Sequence, residues 1–343
     1  MNYYRNIDKS KVQFDFIVDE DSSYIPREEI ERLGGKVIIV PPYQKIFKYI
    51  RTLKKVFKEN NYKIVHSNLN TLSVFPLFAA KLAGVPVRIA HSHSTSNKKE
   101  WKKNILKNIL RPFSKVFATD YFACSEYAGR WLFGNKTFEE GKVTIIKNAI
   151  DVDKFKYNEE IRNKIRKQLN VEEKFVIGHV GRFMEQKNHE FLIDIFNKIH
   201  MKRKESILLL IGDGPLEDKI KEKIKKLHLQ DFVIFLGVKS NVNEYMQAMD
   251  VFLFPSLYEG LGIVAIEAQV SKLPVFISDA VPDEVMISDN IYRVNLTDND
   301  DVWSDKVLNN TIDRAMVQID SIKCKEYTIA YASKTLEKKY REI

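Results

Sequence analysis

Two hydrophobic patterns alternate along the whole chain. Short runs rich in Val, Ile and Phe predict buried strands, and longer stretches with apolar residues every three or four positions predict amphipathic helices. Because the two patterns follow one another in turn, we expect an α/β fold of two doubly wound domains, each a parallel sheet with helical crossovers. The predicted strands are Val12 to Val18, Lys36 to Val40, Lys63 to Ser67, Val85 to Ala90, Tyr121 to Cys124, Val143 to Ile146, Phe175 to Val180, Ile207 to Ile211, Phe232 to Leu236, Val251 to Phe254, Pro274 to Ile277 and Tyr292 to Val294.

The strand series is interrupted once, between residues 148 and 158. A chain of 343 residues is long enough for two hydrophobic cores. The sequence therefore predicts a first domain over residues 1–157 and a second over residues 158–326. The remaining residues, 327–343, have the pattern of an amphipathic helix, which we expect to pack back on the first domain.

The first domain begins with a helical pattern, Met1 to Ile7, and not with a strand. A doubly wound sheet ordinarily starts with a strand near its centre, followed by a ligand-facing loop. We expect that unit to be absent, which would leave an unpaired strand edge within the sheet. Weak activity and poor solubility are the expected consequences.

Composition narrows the class of protein. A hydrophobic fraction of 44% excludes a disordered chain. The two cysteines, Cys124 and Cys324, are far apart and lack metal-ligand spacing, so neither a disulfide framework nor a zinc site is predicted. No apolar run has the length of a membrane span, and we expect a cytoplasmic protein.

The formal net charge of +9 predicts an anionic partner. The densest apolar and basic stretch is residues 98–115, where Trp101, Ile105, Ile109 and Phe113 fall on one helical face between lysines. Two interpretations stay open. The helix lies on the anionic inner face of a membrane, apolar side down, or it faces the core and solvates its basic side.

Two loops that follow predicted strands carry residue types suited to phosphate. Arg182 and Lys187 follow the strand Phe175 to Val180, at the edge where open α/β sheets bind ligands. Their cationic groups suit a diphosphate, and an exposed basic turn is the alternative. Gly212 and Gly214 follow the next strand, where they permit either close approach of a ligand or merely a tight turn.

A third loop is the most informative. In the stretch from Pro255 to Ala268, a glycine loop precedes an apolar helix predicted to start near Leu261. The backbone N–H groups of Gly260, Leu261 and Gly262 would lie at the N-terminus of that helix, which suits a phosphate.

Two carboxylates flank this loop. Glu259 is placed to accept hydrogen bonds from sugar hydroxyls. Glu267 has mostly apolar helical neighbours, and a carboxylate is unfavourable there unless it has a partner. Ribose hydroxyls of a nucleotide would satisfy it, and a neighbouring cation such as Lys272 is the alternative.

Two histidines follow a strand of the first domain. His91 and His93 come after the run Val85 to Ala90, and alternation along a strand places both on one face. Spacing therefore does not separate their roles. Each is either a structural histidine or a group that holds a sugar hydroxyl or relays a proton.

In combination, these segments resemble glycosyltransferase family 4. The resemblance rests on the loop from Gly181 to Lys187, the turn Gly212 to Pro215, the pair Glu259 and Glu267 around Gly260 to Gly262, the linker Asn148 to Phe155, Phe235 to Gly237, and Pro282 to Glu284. It implies two Rossmann-like domains that face a cleft, the glycosyltransferase B fold. It also implies a retaining hexosyltransferase that moves a sugar from a UDP-linked donor to a glycan or lipid-linked acceptor in capsule or exopolysaccharide synthesis.

The resemblance further implies a role for each site residue, with no metal and no cofactor besides the donor. The implied diphosphate-binding residues are Arg182, Lys187, Gly260, Leu261 and Gly262. The implied nucleoside-binding residues are Gly237, Val238, Lys239 and Glu267. The implied catalytic residues are Glu259 and one of His91 and His93, with Gly181, Gly212 and Ser125 elsewhere in the cleft. The implied reaction is a front-face substitution in which cations stabilise the departing diphosphate.

Three other classes stay open. A non-catalytic sugar-nucleotide-binding protein would bind a nucleotide without transfer, and an epimerase would release an isomer without an acceptor. A nucleic-acid-binding protein is suggested by the charge alone. Because the sequence has no recognisable nucleic-acid-binding motif, we expect no nucleic-acid partner.

Overall fold

The computed structural model describes residues 1–22, 25–93, 107–310 and 314–343. Within these ranges the chain forms two compact α/β units. The first unit comprises Met1–Ala149 with Glu326–Ile343, and the second comprises Ile150–Lys325. Every strand pair within the sheets is parallel, which confirms the predicted class. Among the described residues, no helix is both long and apolar enough to span a bilayer.

The first unit contains two parallel sheets. Strands β1 and β2 pair with each other, and the other sheet has the order β3-β4-β5-β6. The strands are β1 Phe16–Asp19, β2 Val37–Val40, β3 Ile64–Ser67, β4 Val87–Ser92, β5 Asp120–Ala123 and β6 Val143–Ile145. The helices are Asn2–Asn6, Arg27–Arg32, Ile46–Glu59, Val74–Ala83, residues 107–110, Glu126–Phe133, Asn135–Glu139 and Ile329–Glu342.

The second unit contains one six-stranded parallel sheet in the order β12-β11-β10-β7-β8-β9. The strands are β7 Phe175–Val180, β8 Ser206–Ile211, β9 Val233–Gly237, β10 Val251–Phe254, β11 Val275–Ser278 and β12 Ile291–Val294. The helices are Val152–Phe155, Glu159–Leu169, His189–Lys202, Glu217–Lys226, Val242–Ala248, Ile263–Val270, Asp300–Asn309 and Ser321–Glu326, whose last residue belongs to the first unit. Central strands such as β8 and β10 are buried along their whole length, which explains their unbroken apolar runs.

The strand predictions differ from the structure mainly at β1. The sequence predicts a strand from Val12, but β1 begins at Phe16. Pairing with β2 starts only where the Phe16 N–H donates to the Lys36 carbonyl, 2.7 Å away. The preceding Phe14 instead stacks its ring on Tyr4, with ring centroids 5.4 Å apart.

The structure divides the chain at Ile150, earlier than the boundary predicted after residue 157. The residues between belong to the second unit because they bond to its helices. The Ser271 hydroxyl donates to the Phe155 carbonyl at 2.9 Å, and the Asn243 amide donates to the Lys154 carbonyl at 3.2 Å. A four-residue helix, Val152–Phe155, is too short to show a hydrophobic period in the sequence.

The C-terminal helix Ile329–Glu342 lies in the first unit. The Thr328 hydroxyl caps its N-terminus by accepting from the Tyr331 N–H at 3.3 Å. Leu336 is buried in a cluster with Ile89 and Phe122. The helix therefore contributes to the core beneath β4 and β5.

The basic segment 98–115 lies partly outside the described residues, which resume at residue 107. Residues 107–110 are helical, and Arg111–Lys115 form a 3₁₀ turn. A continuous α-helix to residue 115 is therefore wrong, since Pro112 supplies no N–H and favours the change. Ile109 and Phe113 are 58% and 49% exposed, so these two positions do not face the core.

Candidate functional site

Four loops of the second unit meet at one edge of its sheet. Strands β10, β7, β8 and β9 are consecutive neighbours and parallel, so their carboxyl ends lie together. After β9 the chain crosses to the other side of β7, and open α/β sheets bind ligands at such a reversal. We call the loops 181–188, 212–215, 238–239 and 255–262 the second-sheet edge. They carry the predicted site residues of this unit, apart from Gly237 at the end of β9 and Glu267 in the following helix.

An ion pair joins the β7 and β10 loops at this reversal. Lys187 Nζ lies 2.6 Å from Glu259 Oε1, and the two side chains are only 15% and 7% exposed. Gln186 Nε2 donates to Glu259 Oε2 at 3.3 Å, and Lys187 Nζ lies 4.5 Å from the ring centroid of Phe254. Mutual pairing offsets the desolvation of both charges. The cation predicted for a diphosphate and the carboxylate predicted for a sugar therefore contact each other directly.

Two further hydrogen bonds, one between backbone groups and one from a side chain, join the same two loops. The Leu257 N–H donates to the Gln186 carbonyl at 2.8 Å, and Asn188 Nδ2 donates to the Pro255 carbonyl at 3.2 Å. The Arg182 side chain, in contrast, is exposed and forms no hydrogen bond or ion pair within the described part of the chain. The β7 loop thus carries one largely buried, paired cation, Lys187, and one exposed cation, Arg182.

Glycines allow the β7 and β8 loops to pack backbone against backbone. Gly212 has a φ of +135°, and a Cβ there would lie 2.2 Å from the Gly181 carbonyl oxygen. A Cβ on Gly214, at φ +152°, would lie 2.6 Å from the Phe183 carbonyl oxygen. These glycines fix the shape of the β7 loop, a structural requirement that holds with or without a ligand.

A buried histidine, His179, leaves no room for a side chain at Gly181. A Cβ on Gly181 would lie 2.9 Å from Nε2 of His179. His179 Nδ1 bonds the Leu253 carbonyl at 2.8 Å, and its ring lies edge-on to that of His189. Burial lowers the pKa of His179 to about 4, so its ring is neutral at ordinary pH. Neither His179 nor His189 was predicted from the sequence as a site residue.

The helix after the glycine loop spans Ile263–Val270, slightly later than predicted. Gly262 is its N-cap, at φ +89°, and Leu261 is buried in the turn before it. No acidic side chain occupies the first turn. The positive end of the helix dipole therefore faces the edge without competition from a carboxylate of the same turn.

Glu267 is an unpaired, partly buried carboxyl group in this helix. Burial raises its pKa to about 7. Within the described residues it forms no ion pair, and Lys272, the cation considered as its partner, lies in the left-handed turn after the helix at φ +58°. The alternative interpretation, an ion pair between Glu267 and Lys272, is therefore wrong. A partly buried carboxyl group without an ion-pair partner, in a helix that starts at a candidate ligand-binding edge, is typical of a functional residue.

The β9 loop contributes an exposed apolar residue and a lysine. Gly237 ends β9 at φ +67°, and Val238 is 70% exposed. Lys239 Nζ lies 5.8 Å from the ring centroid of Tyr245. An exposed valine beside a cation–aromatic contact suits the edge of a flat, polar ring such as a base.

In the first unit, His91 and His93 lie at the carboxyl end of β4. Their rings stack with centroids 3.9 Å apart, as expected for two residues on one face of a strand. His66, at the end of the neighbouring β3, places Nε2 2.9 Å from His91 Nδ1. His93 Nε2 bonds Oδ1 of Asn68 at 2.8 Å. We call His66, His91 and His93 the histidine cluster.

The histidine cluster is uncharged. Burial lowers the pKa of His66 to about 3 and that of His91 well below its ordinary value, and the neighbouring His93 lowers both further. Burial also lowers the pKa of His93. The cluster therefore offers directional hydrogen bonds and not positive charge.

Sequence analysis missed His66, Asn68 and Tyr340, whose hydroxyl contacts His66 Nδ1. His66 and His91 each end one of two adjacent strands, a signal that the strand predictions already contained. Ser125 has a structural contact: its buried Oγ accepts from the Ala128 N–H at 3.1 Å and caps the helix Glu126–Phe133.

Comparison with known proteins identifies the class. The family model "Glycosyltransferase Family 4" matches residues 2–154, and "Glycosyl transferases group 1" matches residues 160–316. A putative glycosyltransferase of Bacillus subtilis, EpsF, is 37% identical over 314 residues, which cover 90% of this chain and 82% of EpsF. The chain belongs to glycosyltransferase family 4 and is a sugar-transferring enzyme.

One further relative is named for polysaccharide synthesis, and one solved structure shares the fold. The capsular polysaccharide biosynthesis glycosyltransferase CapM of Staphylococcus aureus is 28% identical over 72% of this chain and 68% of CapM. Anabaena HepE, solved with UDP-glucose, shares the fold with a TM-score of 0.81 at 18% identity, over 95% of this chain and 92% of HepE. The predicted family, the glycosyltransferase B fold and the hexosyltransferase class are confirmed.

Proposed function

We propose that the second-sheet edge binds a UDP-linked sugar and that the enzyme transfers the hexose, with retention, to a glycan or lipid-linked acceptor in polysaccharide synthesis. Two similarities support these substrates. An Escherichia coli relative, 26% identical over 77% of this chain and 72% of that protein, is named as a UDP-Gal:alpha-D-GlcNAc-diphosphoundecaprenol galactosyltransferase. HepE was solved with UDP-glucose.

The observation that carries the proposal is the Lys187–Glu259 pair at the point where the sheet order reverses. Without a ligand, each group neutralises the other. A bound diphosphate attracts the Lys187 ammonium, and the hydroxyls of its sugar donate to the Glu259 carboxylate. Lys187 and Glu259 then each exchange one partner for another, so that neither buried charge is left unpaired with or without the donor.

In this reaction, the bond between the anomeric carbon and the diphosphate oxygen breaks. The acceptor oxygen bonds to the same face of that carbon, and the acceptor proton passes to the departing diphosphate oxygen. Lys187, Arg182 and the N-terminus of the helix Ile263–Val270 stabilise the negative charge that develops on the diphosphate. Glu259 positions the sugar and forms no covalent intermediate.

The proposal requires no metal, because two cations and a helix terminus supply the electrostatic stabilisation. Among the described residues, no group of three or more His, Cys, Asp or Glu side chains is arranged to hold a metal ion. Glu267 would accept hydrogen bonds from the ribose hydroxyls, which would give this unpaired carboxyl group its partners.

A single assay tests the proposal. The chain is incubated with UDP-glucose, UDP-galactose or UDP-N-acetylglucosamine and a diphospholipid-linked sugar, with and without EDTA, and products are followed by ¹H NMR. We expect UDP release and an α-linked product at equal rates under both conditions. A β-linked product or inhibition by EDTA would contradict retention or metal independence, and an isomeric UDP-sugar formed without acceptor would indicate an epimerase.

We also propose that the enzyme acts at the cytoplasmic face of the membrane and binds anionic lipid through the described part of the basic segment. Ile109 and Phe113 are exposed beside Lys107 and Arg111, an apolar and cationic combination suited to an anionic surface. Flotation with phosphatidylglycerol vesicles tests this. We expect Phe113→Glu to release the protein, whereas Met201→Glu, at a 61% exposed apolar residue of the second unit, leaves binding unchanged.

A further inference from the structure

A chain of hydrogen bonds reaches His91 from the C-terminal helix. The Tyr340 hydroxyl contacts His66 Nδ1, and His66 Nε2 lies 2.9 Å from His91 Nδ1. His66 and His91 are 25 positions apart in the sequence, and His66 and Tyr340 are 274 positions apart. Aromatic contacts fix the rings, because Tyr340 lies edge-on to His66 and His66 stacks on His91.

The donor-to-acceptor direction of these hydrogen bonds follows from the first donor, the Tyr340 hydroxyl. Burial raises the pKa of Tyr340, so its hydroxyl keeps its proton. Within the described residues, His66 Nδ1 is the partner of that hydroxyl, and leaving a buried O–H unpaired is unfavourable. The Tyr340 hydroxyl therefore donates to His66 Nδ1, which must be the unprotonated nitrogen of the ring.

A neutral imidazole carries one proton on its two ring nitrogens. When one nitrogen accepts a hydrogen bond, the other must therefore carry the proton and donate. With Nδ1 unprotonated, His66 has its proton on Nε2 and donates it to His91 Nδ1. His91 in turn has its proton on Nε2. That nitrogen is buried and has no hydrogen-bond partner among the described residues.

We propose that Tyr340 and His66 are positioning residues that hold His91 in the tautomer protonated at Nε2. The Nε2–H of His91, which has no partner among the described residues, then serves as a hydrogen-bond donor suited to a hydroxyl or carbonyl oxygen of a sugar, and not as a proton-accepting base. The effect on turnover rests on the proposed function, whereas the tautomer is a property of the chain alone.

NMR of the full chain with ¹⁵N-labelled histidine tests the tautomer directly. Each of the seven histidines is assigned with a single substitution, and long-range ¹H–¹⁵N correlations show which ring nitrogen carries the proton. We expect Nε2 to be protonated in both His66 and His91. Protonation of His91 at Nδ1 would overturn the proposal.

Tyr340→Phe removes the first donor and keeps the ring packing. We expect part of His66 and His91 to change to the tautomer protonated at Nδ1, and kcat for donor hydrolysis to fall about 3- to 10-fold with KM unchanged. Tyr4→Phe is the matched control, since that buried hydroxyl donates to the Leu33 carbonyl at 3.0 Å and contacts no histidine. An unchanged His91 in Tyr340→Phe would contradict the relay.

Two substitutions of His66 distinguish a role in hydrogen bonding to His91 from a role in packing. In His66→Gln, the amide oxygen can accept from Tyr340 and the amide nitrogen can donate to His91. We expect this variant to retain the His91 tautomer and most activity, and His66→Leu to lose both. If the wild-type chain transfers no sugar yet shows the expected tautomers, the proposed function fails and the relay stands. If transfer proceeds with the opposite tautomer, the relay fails alone.

Discussion

The two units place different chemistry at the same position in their sheets. In the second unit, the carboxyl ends of the strands carry cations, a buried ion pair and a helix terminus. In the first, the ends of β3 and β4 carry neutral histidines joined by hydrogen bonds. Charges suit a diphosphate, whose binding is mainly electrostatic, and neutral rings suit hydroxyl groups, whose recognition is directional. The fold thus provides the position, and the side chains determine the ligand chemistry.

The largest effect is expected where backbone packing supports the charged loops. Gly212→Ala would place a Cβ 2.2 Å from the Gly181 carbonyl oxygen at a positive φ, so we expect the free energy of unfolding to fall by about 4 kcal/mol. Urea denaturation measures this. Gly84→Ala is the control, because its φ is also positive but, apart from its two chain neighbours, no atom of the described residues lies within 4 Å of the Cβ position. Equal losses in the two variants would show that loop packing does not matter.

Lys187→Ala tests the buried pair. Loss of a charge-assisted contact to the departing diphosphate is expected to lower kcat for UDP-sugar hydrolysis about 100-fold, with a smaller change in KM. Lys198→Ala is the matched control, since it breaks a more exposed ion pair with Asp301, at 2.9 Å, away from the second-sheet edge. A Lys187→Ala enzyme with wild-type turnover would remove Lys187 from the diphosphate site.

Glu267→Gln tests the unpaired carboxyl group through pH. Its pKa of about 7, above the ordinary 4.5, means that the folded chain holds this proton more tightly than the unfolded chain. That stabilisation is complete below pH 4.5 and is lost as the pH rises towards 7. We therefore expect Glu267→Gln to be more stable than the wild type by about 3 kcal/mol at pH 8, with the difference shrinking below pH 7. Denaturation curves with a pH-independent difference would contradict the assignment.

Arg182→Ala is expected to have the smallest effect. Its exposed guanidinium works in a more aqueous environment than Lys187, so kcat for donor hydrolysis should fall only about 5-fold. The loss should diminish at high salt, since exposed charges are screened. Initial rates at two salt concentrations measure this, and a loss that exceeds that of Lys187→Ala would reverse the ranking of the two cations.

Sequence reasoning succeeded where the signal is local. Every predicted strand occurs, and β7 and β10 have the predicted bounds because their apolar runs end at glycine or proline. The loops from Gly181 and Pro255 lie at one edge because parallel strands align their carboxyl ends. The Lys187–Glu259 contact spans 72 positions, and spacing alone does not predict it.

The histidine cluster was predicted only in part, for the same reason. His91 and His93 share a strand, whereas His66 and Tyr340 reach them from another strand and from the C-terminal helix. The absence of an ion pair at Glu267 could likewise not be predicted from the sequence, because the conformation of the intervening turn determines whether a nearby lysine reaches the carboxylate. At Lys272 that turn is left-handed.

Titration of UDP into the wild-type chain and Glu267→Ala, followed by calorimetry, tests the central claim most directly. If the second-sheet edge is the donor site, the wild type binds one equivalent of UDP and the variant binds it at least about 10-fold more weakly, because the ribose hydroxyls lose the carboxyl group that accepts their hydrogen bonds. Equal affinities, or no binding by the wild type, would contradict the account.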